Sequence, residues 1–165
     1  MTRGDAALPV DPDLAPEERV HGLVRAWHAV ASRRDVLAVI AVGGAVGAGL
    51  RHLVSEEVPR AAGEFPWATL AVNVSGCLAL GALMVVLLET RPHARYLRPL
   101  LGVGLLGGYT TFSAYALEVR DLLDEDRAGT AGAYLLGSVA GGLVAVQLGL
   151  LAGALGVAAV RRTRR

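Results

Sequence analysis

Charged residues divide this chain into four long stretches that carry no charge. They cover 15 positions from Val36 to Leu50, 24 from Phe65 to Leu88, 19 from Pro99 to Leu117 and 33 from Ala128 to Val160. An α-helix rises about 1.5 Å per residue and the hydrocarbon core of a membrane is about 30 Å thick, so about 20 apolar residues cross it. The first stretch reaches this length when Arg51 and His52 lie at the helix end and extend toward the interface. The pattern predicts an all-α membrane protein with four transmembrane helices.

The same pattern sets the bounds of these helices. We expect them at residues 35–55, 66–89, 96–122 and 129–160. The connections between them are short, so consecutive helices are expected to be antiparallel neighbours. The transmembrane domain is therefore 35–160, followed by a basic tail at 161–165. An N-terminal tail at 1–34 precedes it and is predicted to be partly disordered, with a short amphipathic helix where apolar residues recur at three- and four-residue steps.

The arginines of the chain predict its orientation. All 16 basic residues are arginines, and they flank the apolar stretches instead of forming one basic stripe, so no nucleic-acid partner is predicted. With four spans, both termini share one side of the membrane, and that side holds 12 arginines against 4 on the other. Basic residues are enriched in cytoplasmic loops. We therefore expect a multi-pass protein of the cell (plasma) membrane with both termini in the cytoplasm.

The titratable residues do not suggest an enzyme. The four histidines are dispersed over tails and helix ends without metal-ligand spacing, at His21, His28, His52 and His93. No pairing of a nucleophile with a base is visible either. A small multidrug-type transporter, which also has four helices, would normally need a carboxylate inside the membrane, and only Glu89 and Glu118, expected near helix ends, are available.

Glycines recur four positions apart along three of the four apolar stretches. Small residues let two helix backbones approach closely in lipid, where the hydrophobic effect does not drive association. We therefore expect helix contacts at the pairs Gly43 and Gly47, Gly104 and Gly108, Gly137 and Gly141, and Gly149 and Gly153.

The third stretch is predicted to be a broken helix. Residues 107–113 read Gly-Gly-Tyr-Thr-Thr-Phe-Ser near its middle. Such a break is tolerated in lipid only where the backbone is buried in protein or lines a cavity. Released carbonyls there suit a small cation, and helix N-termini suit an anion. A simple kink with hydroxyls bonded to their own backbone is the alternative.

The second stretch carries one strongly polar group, the amide of Asn73, with Thr69 one turn before it. An unpaired amide in hydrocarbon costs several kcal/mol, so Asn73 is expected to face another helix or a watery pathway.

Three motifs occur in order: Gly43-x-x-x-Gly47-x-x-x-Arg51, then Thr69-Leu-Ala-Val-Asn73, then Gly104-x-x-Gly-Gly-Tyr-Thr-Thr-Phe-Ser113. Together they resemble the CrcB, or Fluc, family of fluoride channels, over roughly residues 36–160. The resemblance implies a channel subunit that exports fluoride passively and lowers cytoplasmic fluoride. It also implies an antiparallel (dual-topology-type) dimer in the lipid bilayer, with two fluoride pores.

The resemblance also implies a set of site residues. A structural sodium ion at the dimer centre would be bound by the backbone carbonyls of Gly107 and Thr110, and Arg51 would have a structural role at a helix end. The residues expected along the fluoride pathway are Thr69, Asn73, Phe112, Ser113, Tyr115 and Ser138. The family usually has Phe-Ser-Thr-Phe where this chain has Phe112-Ser-Ala-Tyr115, so a phenol replaces a phenyl ring in the pore lining.

The assembly implied by the resemblance is a homodimer or a heterodimer. Homodimeric members insert in both orientations and carry almost no arginine bias, whereas the 12-to-4 split found here favours a heterodimer with an oppositely oriented homologue. A non-conducting scaffold or partner subunit remains an alternative, as does a small multidrug-type transporter.

Overall fold

The computed structural model describes residues 32–91 and 93–163, and it is helical wherever it has regular structure. Four segments of the described chain are long and apolar enough to cross a membrane: Arg34–Glu57 (α1), Trp67–Thr90 (α2), Arg98–Asp124 and Ala128–Thr163 (α5). The prediction of four spanning helices is therefore confirmed, with bounds within three residues of those expected. The N-terminal amphipathic helix expected from the sequence lies outside the described residues.

The third span is interrupted near its middle. Arg98–Leu106 is a π-helix that continues as one short α-helical stretch, Gly107–Tyr109, and we call the two together α3. Thr110 is extended, with ψ of 158°, and an α-helix resumes at Ser113–Asp124, which we call α4. The predicted broken helix is confirmed. The π-helix before the break was not foreseen, and π-helical segments are frequent at functional sites.

Glycines bring α1 and α3 into backbone contact. A Cβ on Gly104 would lie 2.7 Å from the carbonyl oxygen of Ile40 and 3.0 Å from Cα of Gly43. A Cβ on Gly47 would meet the carbonyl oxygen of Leu105, and a Cβ on Gly108 the carbonyl oxygen of Gly44. Only hydrogen at these positions allows the two backbones to approach this closely.

The most extensive helix contact joins α2 and α5. A Cβ on Gly153 would lie 2.8 Å from the carbonyl oxygen of Ala82, and a Cβ on Gly149 would meet that of Leu78. The prediction for Gly137 is wrong, because a Cβ there would have no atom of the described residues within 4 Å. The spacing of four residues predicted a pair of Gly137 and Gly141. Gly141 does face Val74 on α2, but Gly137, one turn earlier, does not meet a neighbouring helix among the described residues.

Many large apolar side chains of the described residues are exposed on the surface. Large aliphatic side chains such as Val42, Leu136 and Leu155 are more than half exposed. The buried cluster around Leu122 and Tyr134 is small, with Ala131 as its third buried member. An apolar exterior of this kind fits lipid and not water as the solvent.

Glycine packing between α1 and α3 predicts that Gly47→Ala destabilises the protein. The added methyl group would collide with the backbone of Leu105, and overpacking of this kind costs about 1–3 kcal/mol. Thermal unfolding in detergent, followed by circular dichroism, should show a lower midpoint. Gly49→Ala is the matched control, because a Cβ there has no atom within 4 Å. Equal midpoints for the two variants would contradict the assigned packing.

Candidate functional site

The side chain of Asn73 holds the break in the third span. Its Nδ2 donates a hydrogen bond to the carbonyl oxygen of Thr111 at 2.9 Å, and its Oδ1 accepts one from the backbone N–H of Thr111, also at 2.9 Å. The amide thus pairs with both the N–H and the carbonyl of one residue, as the backbone of a neighbouring strand would. Of the two readings that the sequence left open, the structure places Asn73 against another helix, on the wall of a groove described below.

Two backbone carbonyls at the break lose their helical hydrogen-bond donors. In a continuous α-helix the N–H of Thr111 would bond the carbonyl of Gly107, but here it donates to Asn73. The N–H of Ala114 would likewise bond the carbonyl of Thr110, but it donates to Oγ1 of Thr111 at 3.2 Å. Both carbonyls named in the sequence analysis as cation ligands therefore lose their helical donors at this point.

Polar side chains from α1 and α2 also reach the break. Nε of Arg51 donates to the carbonyl oxygen of Gly108 at 3.3 Å. Arg51 lies inside α1, which runs to Glu57, and not at the helix end as expected. The hydroxyl of Tyr109 lies 3.0 Å from that of Ser75 on α2. The interruption is therefore connected to both preceding helices.

A carboxylate inside the bundle forms a second polar cluster. Glu118 accepts a hydrogen bond from the Thr69 hydroxyl at 2.7 Å and another from the Tyr134 hydroxyl at 2.6 Å. Thr69 is 7% exposed and Tyr134 is fully buried. Neither Glu118 nor Tyr134 was predicted as a site residue, because Glu118 was expected near a helix end. The cluster joins α2, α4 and α5.

Aromatic rings extend from this cluster to the break. The ring of Tyr134 lies 5.4 Å from that of Phe65 and 5.3 Å from that of Tyr115, and Tyr115 lies 5.8 Å from Phe112. The hydroxyl group of Tyr115 donates a hydrogen bond to the carbonyl oxygen of Leu135 at 3.1 Å. The extra hydroxyl in this chain is therefore bonded to α5, and the ring keeps an aromatic position beside Phe112.

A groove of 530 Å³ lies beside the break and is bounded by α2, α3 and α5. Most of its lining is aliphatic or glycine, such as Leu80, Gly142 and Val146. Six of the residues singled out from the sequence line it: Asn73, Gly107, Thr110, Phe112, Tyr115 and Ser138. Three others named in the sequence analysis, Thr69, Ser113 and Arg51, lie outside this lining.

Two residues that line the groove stand out, one by its missing hydrogen bond and the other by its exposed ring. Oγ of Ser138 is buried and has no hydrogen-bond partner among the described residues. Phe112 is 79% exposed, which is a large apolar area next to a backbone break. A buried hydroxyl without a partner is costly, which marks Ser138 as the member of the groove lining whose polar group lacks a hydrogen bond among the described residues.

Fold and site together define a class of protein. Four membrane-spanning helices, one of them broken near its middle with carbonyls that lack their helical donors and a groove beside the break, are typical of proteins that move ions across membranes. Residues 38–150 match the family described as CrcB-like protein, Camphor Resistance (CrcB). The chain belongs to this family.

Individual relatives match most of their own length. The chain is 48% identical over 127 residues to the fluoride-specific ion channel FluC 2 of Nocardia farcinica, covering 77% of this chain and 91% of the relative. It is 46% identical to the fluoride-specific ion channel FluC 1 of Streptomyces coelicolor, covering 71% and 76%. It is also 46% identical to the fluoride-specific ion channel FluC of Chelativorans sp., covering 69% and 92%.

The reciprocal bonds of Asn73 predict that Asn73→Ala destabilises the protein. The substitution leaves the N–H and the carbonyl of Thr111 without partners, at a cost of about 1–3 kcal/mol each. The midpoint of thermal unfolding in detergent should fall accordingly. Cys77→Ala is the control, because Cys77 lies one turn further along α2 and lines the same groove. A midpoint equal to that of Cys77→Ala would show that the amide does not hold the break.

Proposed function

We propose that this chain is a subunit of a fluoride-selective channel that lets fluoride leave the cell passively and so lowers its cytoplasmic concentration. One observation carries the proposal. The region that matches the CrcB family, residues 38–150, contains the whole groove and the whole break, and relatives that share this region are named fluoride-specific ion channels. Passive conduction by a channel also agrees with the sequence-based prediction that the chain is not an enzyme.

The chemistry of the groove supports an anion pathway. Fluoride is small and strongly hydrated, so a pathway has to replace its water with hydrogen-bond donors. Asn73 keeps one N–H of its amide after bonding Thr111, and the buried Ser138 hydroxyl has no hydrogen-bond partner within the geometric limits among the described residues. The ring of Phe112 can present its electropositive edge. No arginine lines the groove among the described residues, and this favours conduction because a fixed cation would trap the ion.

Thr69 and Glu118 act on this pathway indirectly in our proposal. Both oxygens of Glu118 accept hydrogen bonds, one from Thr69 and one from Tyr134. Tyr134 lies one helical turn before Ser138 on α5, so the carboxylate fixes the wall that carries the unpaired hydroxyl. We assign Thr69 a positioning role and retain Ser113, exposed at the start of α4, as a donor at the pathway's edge.

A sodium ion is part of the proposal as a structural ligand of the break. The carbonyls of Gly107 and Thr110 are free of their helical donors because Thr111 and Ala114 donate elsewhere. Hard oxygen ligands of this type suit a small hard cation. The Thr110 hydroxyl donates to the carbonyl of Leu106 at 2.9 Å, and we assign the metal to the backbone oxygen of Thr110.

A second subunit completes the site in our proposal. The exposed Phe112 and the groove lie on one face of the third span, where an antiparallel copy or homologue would cover them. The split of 12 arginines against 4 favours one orientation, with both termini in the cytoplasm. A chain that inserts in one orientation needs an oppositely oriented homologue as its partner, which makes the heterodimer the favoured assembly.

The decisive test is fluoride efflux from liposomes that contain the purified protein, read with a fluoride electrode and with chloride as the control ion. We expect fluoride-selective efflux from the chain alone or from the chain with an oppositely oriented homologue, and the arm that conducts identifies the dimer. Ser138→Ala should slow the efflux by about tenfold if the hydroxyl replaces one water of the ion. The aliphatic control is Val139→Ala.

Two results would contradict the proposal. The first is the absence of fluoride efflux in both arms. The second is efflux that requires a proton gradient, which would make Glu118 the coupling carboxylate of a small multidrug-type transporter, since the structure places this residue inside the bundle.

A further inference from the structure

The C-terminal end of α2 and the C-terminal end of α5 meet at the level of the lipid headgroups. α2 has 24 residues and its midpoint is near Leu78. Glu89 lies about 16 Å beyond this midpoint, at a rise of about 1.5 Å per residue, and half of the hydrocarbon core is about 15 Å thick. Groups beside Glu89 are therefore placed where phosphates of the bilayer lie.

Two arginines of α5 occupy this level. Nη2 of Arg161 donates to Oε2 of Glu89 at 2.6 Å, and this ion pair joins the two helices. The next residue, Arg162, has no ion-pair partner among the described residues. The three side chains together carry a net positive charge, because one carboxylate faces two guanidinium groups.

A groove of 400 Å³ runs between the two helices below these charges. Its rim is formed by Glu89, Arg161 and Arg162, and its wall is aliphatic, with Val85, Ala154 and Ala158. A cationic rim above an apolar wall matches a molecule that has an anionic head and a hydrocarbon chain. Guanidinium groups bind phosphate oxygens in a bidentate manner.

We propose that this groove binds one anionic phospholipid, with its phosphodiester at Arg162 and Arg161 and one acyl chain along Val85 and Ala158. The aliphatic wall favours a lipid over free phosphate, because phosphate has no apolar group that could contact this wall. The sequence adds to the charge, because four of the last five residues of the chain are arginines. Basic clusters next to the end of a membrane helix attract anionic lipids by about 1 kcal/mol per residue, about fivefold in affinity.

The test is native mass spectrometry of the full chain, released from bilayers of equal parts phosphatidylglycerol and phosphatidylcholine. We expect the protein to retain phosphatidylglycerol, and Arg162→Gln to lower the retained fraction about fivefold. Arg120→Gln is the matched control, because Arg120 is an exposed arginine that pairs with Asp121 on the other side of the molecule. Ala158→Phe should also lower retention, since its ring fills the groove while the arginines remain.

Each opposite outcome would overturn the proposal. Equal losses in Arg162→Gln and Arg120→Gln would mean general charge attraction without a site. Unchanged retention in Ala158→Phe, or displacement of the lipid by millimolar inorganic phosphate, would mean a phosphate site without an acyl chain. Circular dichroism checks that the variants are folded, and Arg162→Gln changes only an exposed side chain. The readout does not involve fluoride transport and is independent of the proposed function.

Discussion

The pair of hydrogen bonds between the side chain of Asn73 and the backbone of Thr111 is the interaction on which the site depends. A broken helix in lipid leaves peptide groups without partners, and each costs several kcal/mol. Asn73 satisfies the N–H and the carbonyl of Thr111 and, by doing so, withdraws the donor of the Gly107 carbonyl. The same two bonds therefore stabilise the interruption and create the free carbonyl that our proposal gives to sodium.

Close packing of backbones makes this interaction reachable. Glycines at 43, 47, 104 and 108 bring α1 against α3, and Arg51 can then bond the carbonyl of Gly108. The contact of α2 with α5, through Gly149 and Gly153, brings the Ser138 wall opposite the break. A larger side chain at these contacts would move the groove walls apart. Small residues at these contacts thus set the spacing of the groove walls.

The sequence predicted what depends on local pattern. The uncharged runs predicted the four membrane-spanning segments, and the paired glycines beside hydroxyl residues predicted the break in the third. It did not predict what depends on tertiary distance. Glu118 pairs with Thr69 across 49 residues and with Tyr134 across 16, and no periodicity marks such a cluster. Gly137 shares its spacing with real contact glycines, yet the rotation of α5 turns it away from its neighbours.

The most direct test of the central claim is amide hydrogen exchange at Thr111, measured by NMR on the protein in lipid nanodiscs. We expect the Thr111 amide to be protected in the natural sequence and to exchange about tenfold faster or more in Asn73→Ala, because Oδ1 of Asn73 is its acceptor. The amide of Leu78, inside α2, should be unaffected. Equal protection of Thr111 in both proteins would contradict the account, because its amide would then be bonded within a continuous helix.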